Sequence, residues 1–388
     1  MRPYSNLSFF LAANFFWSLG LMTFFLLYNL HLAELGLSVT LMGQVFAAGT
    51  VGTVLASAAA GWATDRWGPK ATLITATAVV AISLVWRSTL ETRAMLLGSS
   101  FVTGVGIALW FVAVPPFLGS ATGGHGQNRS SAFAATYGLS ILTGAVAGLG
   151  GAALASSIGM QASLGACSIS CAVALLFLCG IRPDARSTVA GRPSHSFADI
   201  ARANRKFLVP FLSMVLVWDL LLGAFPPFFN VFFTQRHQLG VVQLGWLFSC
   251  AQFLQALAVM SLPLWVPRLG ARWSIAGCQF LCFPFFLLLA LASGSAWSGA
   301  AYIASATLQA LTSPLIDQFV VANVDQTVSG RAVGMKFFVS QAAVALAAVA
   351  AGALIDHYGY TALLVAASTL ALVSAVLTVR MRAGQSRN

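Results

Sequence analysis

Long apolar runs recur along the whole chain, and they constrain its fold more than any motif does. Residues 7–30 and 339–355 are two examples, and neither shows the alternation of apolar and polar residues that is typical of a barrel strand. Hydrophobic residues make up 59% of the 388 residues and charged residues only 7%, too few to cover a water-soluble globule. Because a backbone inside a bilayer must satisfy its own hydrogen bonds, these runs predict an all-α integral membrane protein.

Glycine, proline and charge clusters divide the chain into twelve predicted transmembrane helices. Their predicted bounds are 7–30, 39–61, 70–88, 94–118, 130–154, 159–181, 207–233, 242–265, 272–292, 297–322, 332–355 and 360–381. Each is close to the length of about 20 residues that crosses a bilayer. The longest polar interruption predicts the domains: an N-terminal six-helix bundle at 1–181, a cytoplasmic linker at 182–206 and a C-terminal six-helix bundle at 207–388.

The basic residues predict the orientation of these helices. Arg87, Arg93 and Arg236 fall on one side, and the other 17 of the 20 Lys and Arg residues fall on the opposite side. An excess of positive charge marks the cytoplasmic side, so both termini are predicted to be cytoplasmic. The first run is too long for a signal-peptide core, so it is interpreted as the first span. We expect a multi-pass protein of the inner (plasma) membrane. Scattered basic residues do not favour nucleic-acid binding.

The two halves of the chain repeat one another at a nearly constant offset. Matching pairs are Trp17 with Trp218, Asn29 with Asn230, Gly43 with Gly245, Arg66 with Arg268, Gly68 with Gly270, Lys70 with Arg272 and Arg129 with Arg331. Six-plus-six parallel repeats are typical of one class of transporter, in which the substrate site lies between the halves near the bilayer midplane.

A charged segment between the second and third spans carries a family resemblance. It contains Gly61, Asp65, Arg66, Gly68 and Lys70, at the spacing G-x-x-x-D-R-x-G-x-K, with Pro69 where the family has an arginine. This segment resembles the signature of the major facilitator superfamily, and the resemblance covers essentially the whole chain. It implies a twelve-helix secondary transporter in two pseudo-symmetric bundles.

The resemblance also implies a conformational latch at this segment. In the family the aspartate faces the start of the eleventh helix, here near 329–333, where a carboxylate is stabilised by the helix N-terminus. The predicted latch residues are Gly61, Asp65, Arg66, Gly68, Lys70 and Arg331. The alternative is that Asp65 and Arg66 only fix the orientation and the shape of the turn.

Two acidic residues, Asp219 and Asp317, lie within predicted spans. An ionisable group inside a membrane is costly and is a functional candidate by default. Asp219 lies near the middle of span seven with no Lys or Arg within one helical turn, and a lone carboxylate there is predicted to bind and release a proton. The alternative is a permanently protonated side chain that is hydrogen-bonded to a neighbouring helix. Gly223 and Pro226 follow and favour a bend in this helix.

Asp317 and Lys336 are predicted to form an ion pair. Each lies about five residues inside the cytoplasmic end of its span, at a depth of roughly 7–8 Å. The alternative is a Lys336 side chain that extends to the membrane surface. Glu34, with His31 beside it at the outer end of span one, is a further candidate for proton coupling.

Midplane polar and aromatic residues predict a mostly apolar cavity with a few polar anchors. They are Asn14, Trp17, Trp110, Tyr137, Trp218, Gln252, Gln255, Gln309 and Gln341. Taken singly, each is more often a packing residue than a ligand contact.

These observations predict a proton-coupled secondary transporter that exports amphipathic or drug-like molecules by alternating access. The alternative is an importer of a small polar nutrient. Two departures from the pattern of the family's exporters keep the importer alternative open. Residues 99–109 lack the arginine that those exporters carry in the fourth span, and Leu149 stands where their glycine-rich segment in the fifth span has a proline. The expected partners are a small-molecule substrate, protons and the lipid bilayer, and we expect a monomer. No enzymatic activity or cofactor is expected, because no nucleophile elbow or phosphate loop appears. The six cysteines lie in apolar runs without polar ligands, so they are predicted to be small buried apolar residues rather than metal ligands or disulfides.

Overall fold

A computed structural model describes residues 4–89, 92–121, 126–182, 205–324 and 329–381, without the side chains of residues 4, 5, 126–131, 134 and 329–331. The first half of the chain forms six helices: α1 (Tyr4–Glu34), α2 (Val39–Trp67), α3 (Pro69–Thr89), α4 (Arg93–Ala121), α5 (Gly126–Ile158) and α6 (Met160–Gly180). Within the described ranges no residue is assigned to a β-strand.

The second half repeats this plan with two interruptions. Its helices are α7 (Arg205–Ala224), a 3-10 turn (Pro226–Phe228), α8 (Phe229–His237), α9 (Val241–Leu269), α10 (Ala271–Leu291), α11 (Ser295–Ala322) and α12 (Ser329–Arg380). The 3-10 turn lies where glycine and proline predict a bend, which confirms that prediction. α12 breaks at Gly359, whose φ of 77° is not helical, so it contains the two segments predicted as the last two spans.

Ten helices in the described part of the chain are long and apolar enough to cross a membrane. Arg205–His237 counts as one of them, and so does Ala332–Arg380, whose 49 residues are about twice the length that one crossing needs. α11 is not among the ten. The all-α membrane fold is therefore confirmed, whereas the number of twelve spans and the cytoplasmic position of the termini stay predictions.

The helix bounds reproduce the repeat seen in the sequence. α2 and α9 both contain 29 residues, α3 and α10 both contain 21 residues, and each pair occupies equivalent positions in its half of the chain. Gly68 and Gly270 stand between the two helices of each half with φ angles of 84° and 79°. Because only glycine adopts such angles without strain, these two residues set where the chain turns from one helix into the next.

The chain forms two compact units. Unit 1 contains Met1–Ala190 and Phe233–Phe253, and unit 2 contains Gly191–Phe232 and Leu254–Asn388. The segment 233–253 therefore groups with the first half, although the sequence assigned it to the C-terminal bundle. Most of the predicted linker 182–206 lies outside the described residues.

Close glycine contacts hold α2 against α4 in unit 1. A methyl group on Gly104 would overlap the carbonyl oxygen of Gly49, and one on Gly52 would overlap that of Phe101. The Thr53 hydroxyl donates across the same contact to the Gly104 carbonyl at 3.1 Å. Small residues thus let the two backbones meet, which is a common way of packing helices in membranes.

Candidate functional site

Three charged residues in the helices of unit 2 act on one another: Asp219, Asp317 and Lys336. Asp219 lies in α7 with only 5% of its surface exposed. Ser340 of α12, Lys336 and Asp317 are the groups whose side chains act on the Asp219 carboxylate. The two acidic residues that the sequence singled out are therefore neighbours, which their separation along the chain does not reveal.

Lys336 is the cation of this cluster. Its Nζ atom donates to the Oδ1 atom of Asp317 at 2.9 Å, so the two side chains meet as their predicted depths suggested. The side chain of Lys336 is 15% exposed and that of Asp317 is 50% exposed. Ser340 follows Lys336 by one helical turn on the same face of α12, which carries the cluster from Asp317 towards Asp219.

The corresponding region of unit 1 contains hydroxyl and amide groups instead of charges. Ser18, which takes the place of Asp219 in the first repeat, donates to the Ser140 hydroxyl at 3.3 Å. Asn14 donates to the same hydroxyl at 3.0 Å and to the Thr136 carbonyl at 3.3 Å. These bonds tie α1 to α5 and satisfy Asn14, which is almost fully buried.

The aromatic residues predicted to line the cavity have different environments. Trp17 and Trp110 stack with ring centroids 4.2 Å apart and an interplanar angle of 8°, and both are buried in unit 1. Trp218 is buried in unit 2, whereas Tyr137 is 52% exposed. In this structure the three tryptophans are therefore packing residues, and a lining role for them stays a prediction.

The four predicted cavity glutamines are all half-buried: Gln252, Gln255, Gln309 and Gln341. Gln309 donates to the Ser305 carbonyl of its own helix at 3.1 Å, so one of its donors is already used. The sequence did not single out a fifth glutamine as a candidate. Gln279 of α10 is fully buried, accepts from the Thr378 hydroxyl at 2.6 Å and lies 3.4 Å from the sulfur of Met214.

The predicted latch segment is mostly helix rather than loop. Asp65 and Arg66 occupy the last turn of α2 and are exposed, and Arg66 lies over the Trp62 ring with its Cζ atom 5.8 Å from the centroid. Gly61 lies in the same helix and Gly68 ends it. The side chain of Arg331 lies outside the described residues.

Lys70 has a structural partner that its motif does not predict. Its Nζ atom donates to the Cys179 carbonyl at 3.3 Å and also to the Ile181 carbonyl, both at the C-terminal end of α6. In the second repeat Arg272 donates to the Met381 carbonyl at 2.7 Å, at the end of α12. A cation is favourable at a helix C-terminus, so each residue stabilises the last helix of its own repeat.

Arg87, which the sequence assigned to the outer side at the end of the third span, is a buried cation. It lies in the last turn of α3 with 4% of its surface exposed. Its guanidinium Cζ atom is 4.8 Å from the ring centroid of Phe24 and 4.1 Å from that of Tyr28. Neither Arg87 Nε nor the Tyr28 hydroxyl has a hydrogen-bond partner among the described residues. The charge is therefore held by the faces of two rings.

The remaining candidates lie towards helix ends. Glu34 is the last residue of α1 and is exposed, and His31 lies one turn before it. Cys167, Cys171, Cys278 and Cys282 are buried, as expected of small apolar residues, whereas Cys179 and Cys250 are exposed. The expectation that all six cysteines are buried was wrong for these two, because their apolar runs also present outward faces.

A model of the family described as the Major Facilitator Superfamily matches residues 8–335 of the chain. The chain belongs to the major facilitator superfamily. Members of this superfamily are transporters rather than enzymes. No curated protein sequence matches the chain at a significant level.

Solved structures of the superfamily share the fold over nearly the whole chain. A mutant form of the nucleoside transporter NupG superposes with a TM-score of 0.85 at 15% identity, covering 97% of this chain and 99% of that one. A bacterial homologue of the human lysosomal transporter Spinster gives a TM-score of 0.78 at 14% identity, covering 96% of each chain. The human organic anion transporter MFSD10 gives 0.66 at 16% identity, covering 97% of this chain and 100% of that one. At these identities the likeness shows the fold alone.

Proposed function

We propose that this superfamily member is a proton-coupled secondary transporter that exports amphipathic small molecules, with Asp219 as its proton-binding group. The observation that carries the proposal is the cluster of Asp219, Ser340, Lys336 and Asp317 inside apolar unit 2. We further propose that the protein acts as a monomer in the inner (plasma) membrane, with twelve spans and both termini in the cytoplasm.

The charges of this cluster support proton binding. When all its groups are ionised, two carboxylates face one ammonium, and the cluster carries one net negative charge. Because an unbalanced charge inside a membrane is costly, uptake of one proton that neutralises the cluster is favoured there. Lys336 pairs with the more exposed Asp317, which leaves buried Asp219 as the carboxylate that gains most from a proton.

Proton binding at Asp219 has a direct route to conformational change. Asp219 lies one turn before Gly223, where α7 meets α12 so closely that a methyl group on Gly223 would overlap the Val344 backbone. The helix is then interrupted at Pro226–Phe228. A change of charge at Asp219 therefore acts on a tight helix contact and on a preformed break, where small shifts are least costly.

The proposal is tested with purified protein in proteoliposomes that have a pH gradient. Ethidium and rhodamine 6G serve as amphipathic probes, and a pH-sensitive dye reports proton movement. The wild type is expected to move at least one probe uphill and protons in the opposite direction. Asp219→Asn keeps the shape of the neutral acid, so it is expected to fold but to lose uphill transport and its dependence on the pH gradient.

Asp356→Asn is the matched control, since Asp356 is an exposed aspartate of α12 in the same unit. It is expected to transport like the wild type. Uphill transport by Asp219→Asn with an unchanged pH profile would remove Asp219 as the coupling group and leave Asp317 or Glu34 to be tested. The importer alternative is supported instead if the probes stay on the side to which they were added and small polar nutrients are taken up.

The predicted latch is a separate part of the proposal and rests on the resemblance of its segment to the family signature. Asp65→Asn removes the charge that a helix N-terminus favours, an interaction of about 0.3–1 kcal/mol at an exposed site. We expect normal expression and a several-fold shift between inward- and outward-open forms, measured by the accessibility of single cysteines at the two mouths. Unchanged labelling and transport would leave Asp65 with a role in orientation only.

A further inference from the structure

A groove of about 840 Å³ runs between α9, α10 and α11 within unit 2. Its larger lining residues are Leu254, Leu257, Leu281, Phe285, Ile303 and Leu308, and small residues including Ala300 and Ala304 form part of its wall. Cavities of this volume hold molecules of drug size. We propose that this groove binds an acyl chain of a membrane phospholipid.

The depth of the groove places it among lipid tails. Leu254 and Ala258 line the groove from the middle part of α9, which runs from Val241 to Leu269. At about 1.5 Å per residue both are more than roughly 15 Å from the helix ends, which corresponds to the middle of a hydrocarbon core of about 30 Å. Hydrocarbon chains are what surrounds an opening at this depth.

The chemistry of the lining suits an alkyl chain better than a molecule with polar groups. Thr307 carries the one hydroxyl among the ten lining side chains, and that hydroxyl already donates to the Ile303 carbonyl of its own helix at 2.7 Å. None of the ten lining residues is charged. The groove therefore offers dispersion contacts along its length and no anchor for a polar head.

The repeat explains why the groove exists. In unit 1, Gly52 of α2 meets the Phe101 carbonyl of α4 with no room for a side chain. The equivalent residues of the second repeat are Leu254 and Ile303, and both line the groove. A leucine at the position of that glycine prevents α9 and α11 from meeting as α2 and α4 do. Since dense packing is favourable, the space that results is best filled by another apolar chain.

The exposure of the helices agrees with this difference. An 18-residue apolar window of α9 is 22% buried, compared with 44% for such a window of α2. Leu254 itself is 42% exposed, whereas Gly52 is buried. One face of α9 is thus available to lipid where its counterpart in unit 1 is covered by protein.

The test measures lipid retained by the full-length protein. Protein purified in mild detergent with palmitoyl-oleoyl phosphatidylglycerol is examined by native mass spectrometry, under activation that removes loosely bound lipid. The wild type is expected to retain one lipid. Ala304→Phe fills the groove and is expected to lose most of that retained lipid, and Ala300→Leu, a smaller filling, is expected to lose part of it. Phosphatidylethanolamine with the same chains is expected to behave in the same way, because the groove contacts only the chain.

Ala366→Phe is the control, since Ala366 is an exposed alanine of unit 2 that does not line the groove. It is expected to retain lipid like the wild type. The proposal is overturned if the wild type retains no lipid, or if the filled and control variants retain equal amounts. Retention that depends on the headgroup and not on the acyl chain also overturns it, because the headgroup then binds elsewhere.

Discussion

The two repeats place their helices at the same intervals but fill the contact between the second and fourth helices differently. Unit 1 has Gly52 and Gly104 there, and α2 and α4 meet backbone to backbone. The equivalent residues of unit 2 are Leu254 and Ala306, and a groove opens beside Leu254. Larger residues in place of the glycines therefore separate a closed helix pair from one with an open groove.

The repeats also differ in where they place charge. Ser18, Pro115 and Ala134 of the first repeat correspond to Asp219, Asp317 and Lys336 of the second, and Arg87 corresponds to Leu289. The charged cluster of unit 2 thus has neutral counterparts, and the buried cation of unit 1 has an apolar one. The charged cluster on which the proposed proton coupling rests therefore has no charged counterpart in the first repeat.

The largest effect on stability is expected when Gly52 of unit 1 is replaced by leucine, the residue at the equivalent position 254 of unit 2. Gly52→Leu forces a side chain into the backbone of α4, so we expect a loss of stability of about 3 kcal/mol or no folded protein. Thermal unfolding in detergent, followed by tryptophan fluorescence, measures it. Val51→Leu changes the neighbouring exposed position as a control and is expected to be nearly neutral. If Gly52→Leu is as stable as this control, the close contact is not what holds α2 to α4.

The next effect concerns the ion pair of unit 2. Asp317→Asn and Lys336→Gln each leave one partner of the ion pair unpaired, and we expect each to lower the free energy of unfolding by about 2 kcal/mol. Breaking a fully buried pair costs roughly 3–5 kcal/mol, and the loss is smaller here because the Asp317 side chain is half-exposed. The double variant is expected to recover part of this loss and to fail in proton-coupled transport. Additive losses in unfolding experiments would show that the two charges do not stabilise one another.

A smaller effect is expected at the buried cation of unit 1. Arg87→Leu introduces the residue of unit 2, and the lost attraction to Phe24 and Tyr28 is offset by the removal of a desolvated charge. We therefore expect a change in stability within about 1 kcal/mol, measured by thermal unfolding. Arg87→Lys keeps the charge without the planar guanidinium and is the matched comparison. A loss of transport with unchanged stability would instead assign Arg87 a functional role.

The smallest effect is expected at the two helix ends that the repeats share. Lys70→Gln and Arg272→Gln each remove a cation from a helix C-terminus, and each is expected to cost about 0.5 kcal/mol. Equal shifts in unfolding temperature would indicate that the contact is the same in both repeats. A much larger effect of Lys70→Gln, seen in transport rather than in unfolding, would point to the latch.

Much of this architecture was predictable because the membrane allows few solutions. Apolar runs predicted the helices, and the nearly constant offset between matching residues predicted the repeat that α2, α3, α9 and α10 reproduce. The partners of Lys70 and the burial of Arg87 were not predictable. Hydropathy gives the position of a helix along the chain, but it does not identify the carbonyl or the ring that a long side chain will reach.

The candidate site shows the same limit. The cost of a charge in a bilayer was enough to single out Asp219 and Asp317 from the sequence, because that cost depends on the local run and not on distant contacts. Their convergence on Lys336 and Ser340 required the packing of α7, α11 and α12. The groove required it as well, since a leucine at position 254 becomes meaningful only when the opposing helix is known.

The sequence by itself determined that the protein is helical, membrane-embedded and built from two repeats, because periodicity, hydropathy and charge act locally along the chain. Only the tertiary structure decided which helices meet at glycines, which carboxylate pairs with Lys336 and where a groove opens between helices. Those outcomes depend on distances between residues of different helices, and no local pattern contains them.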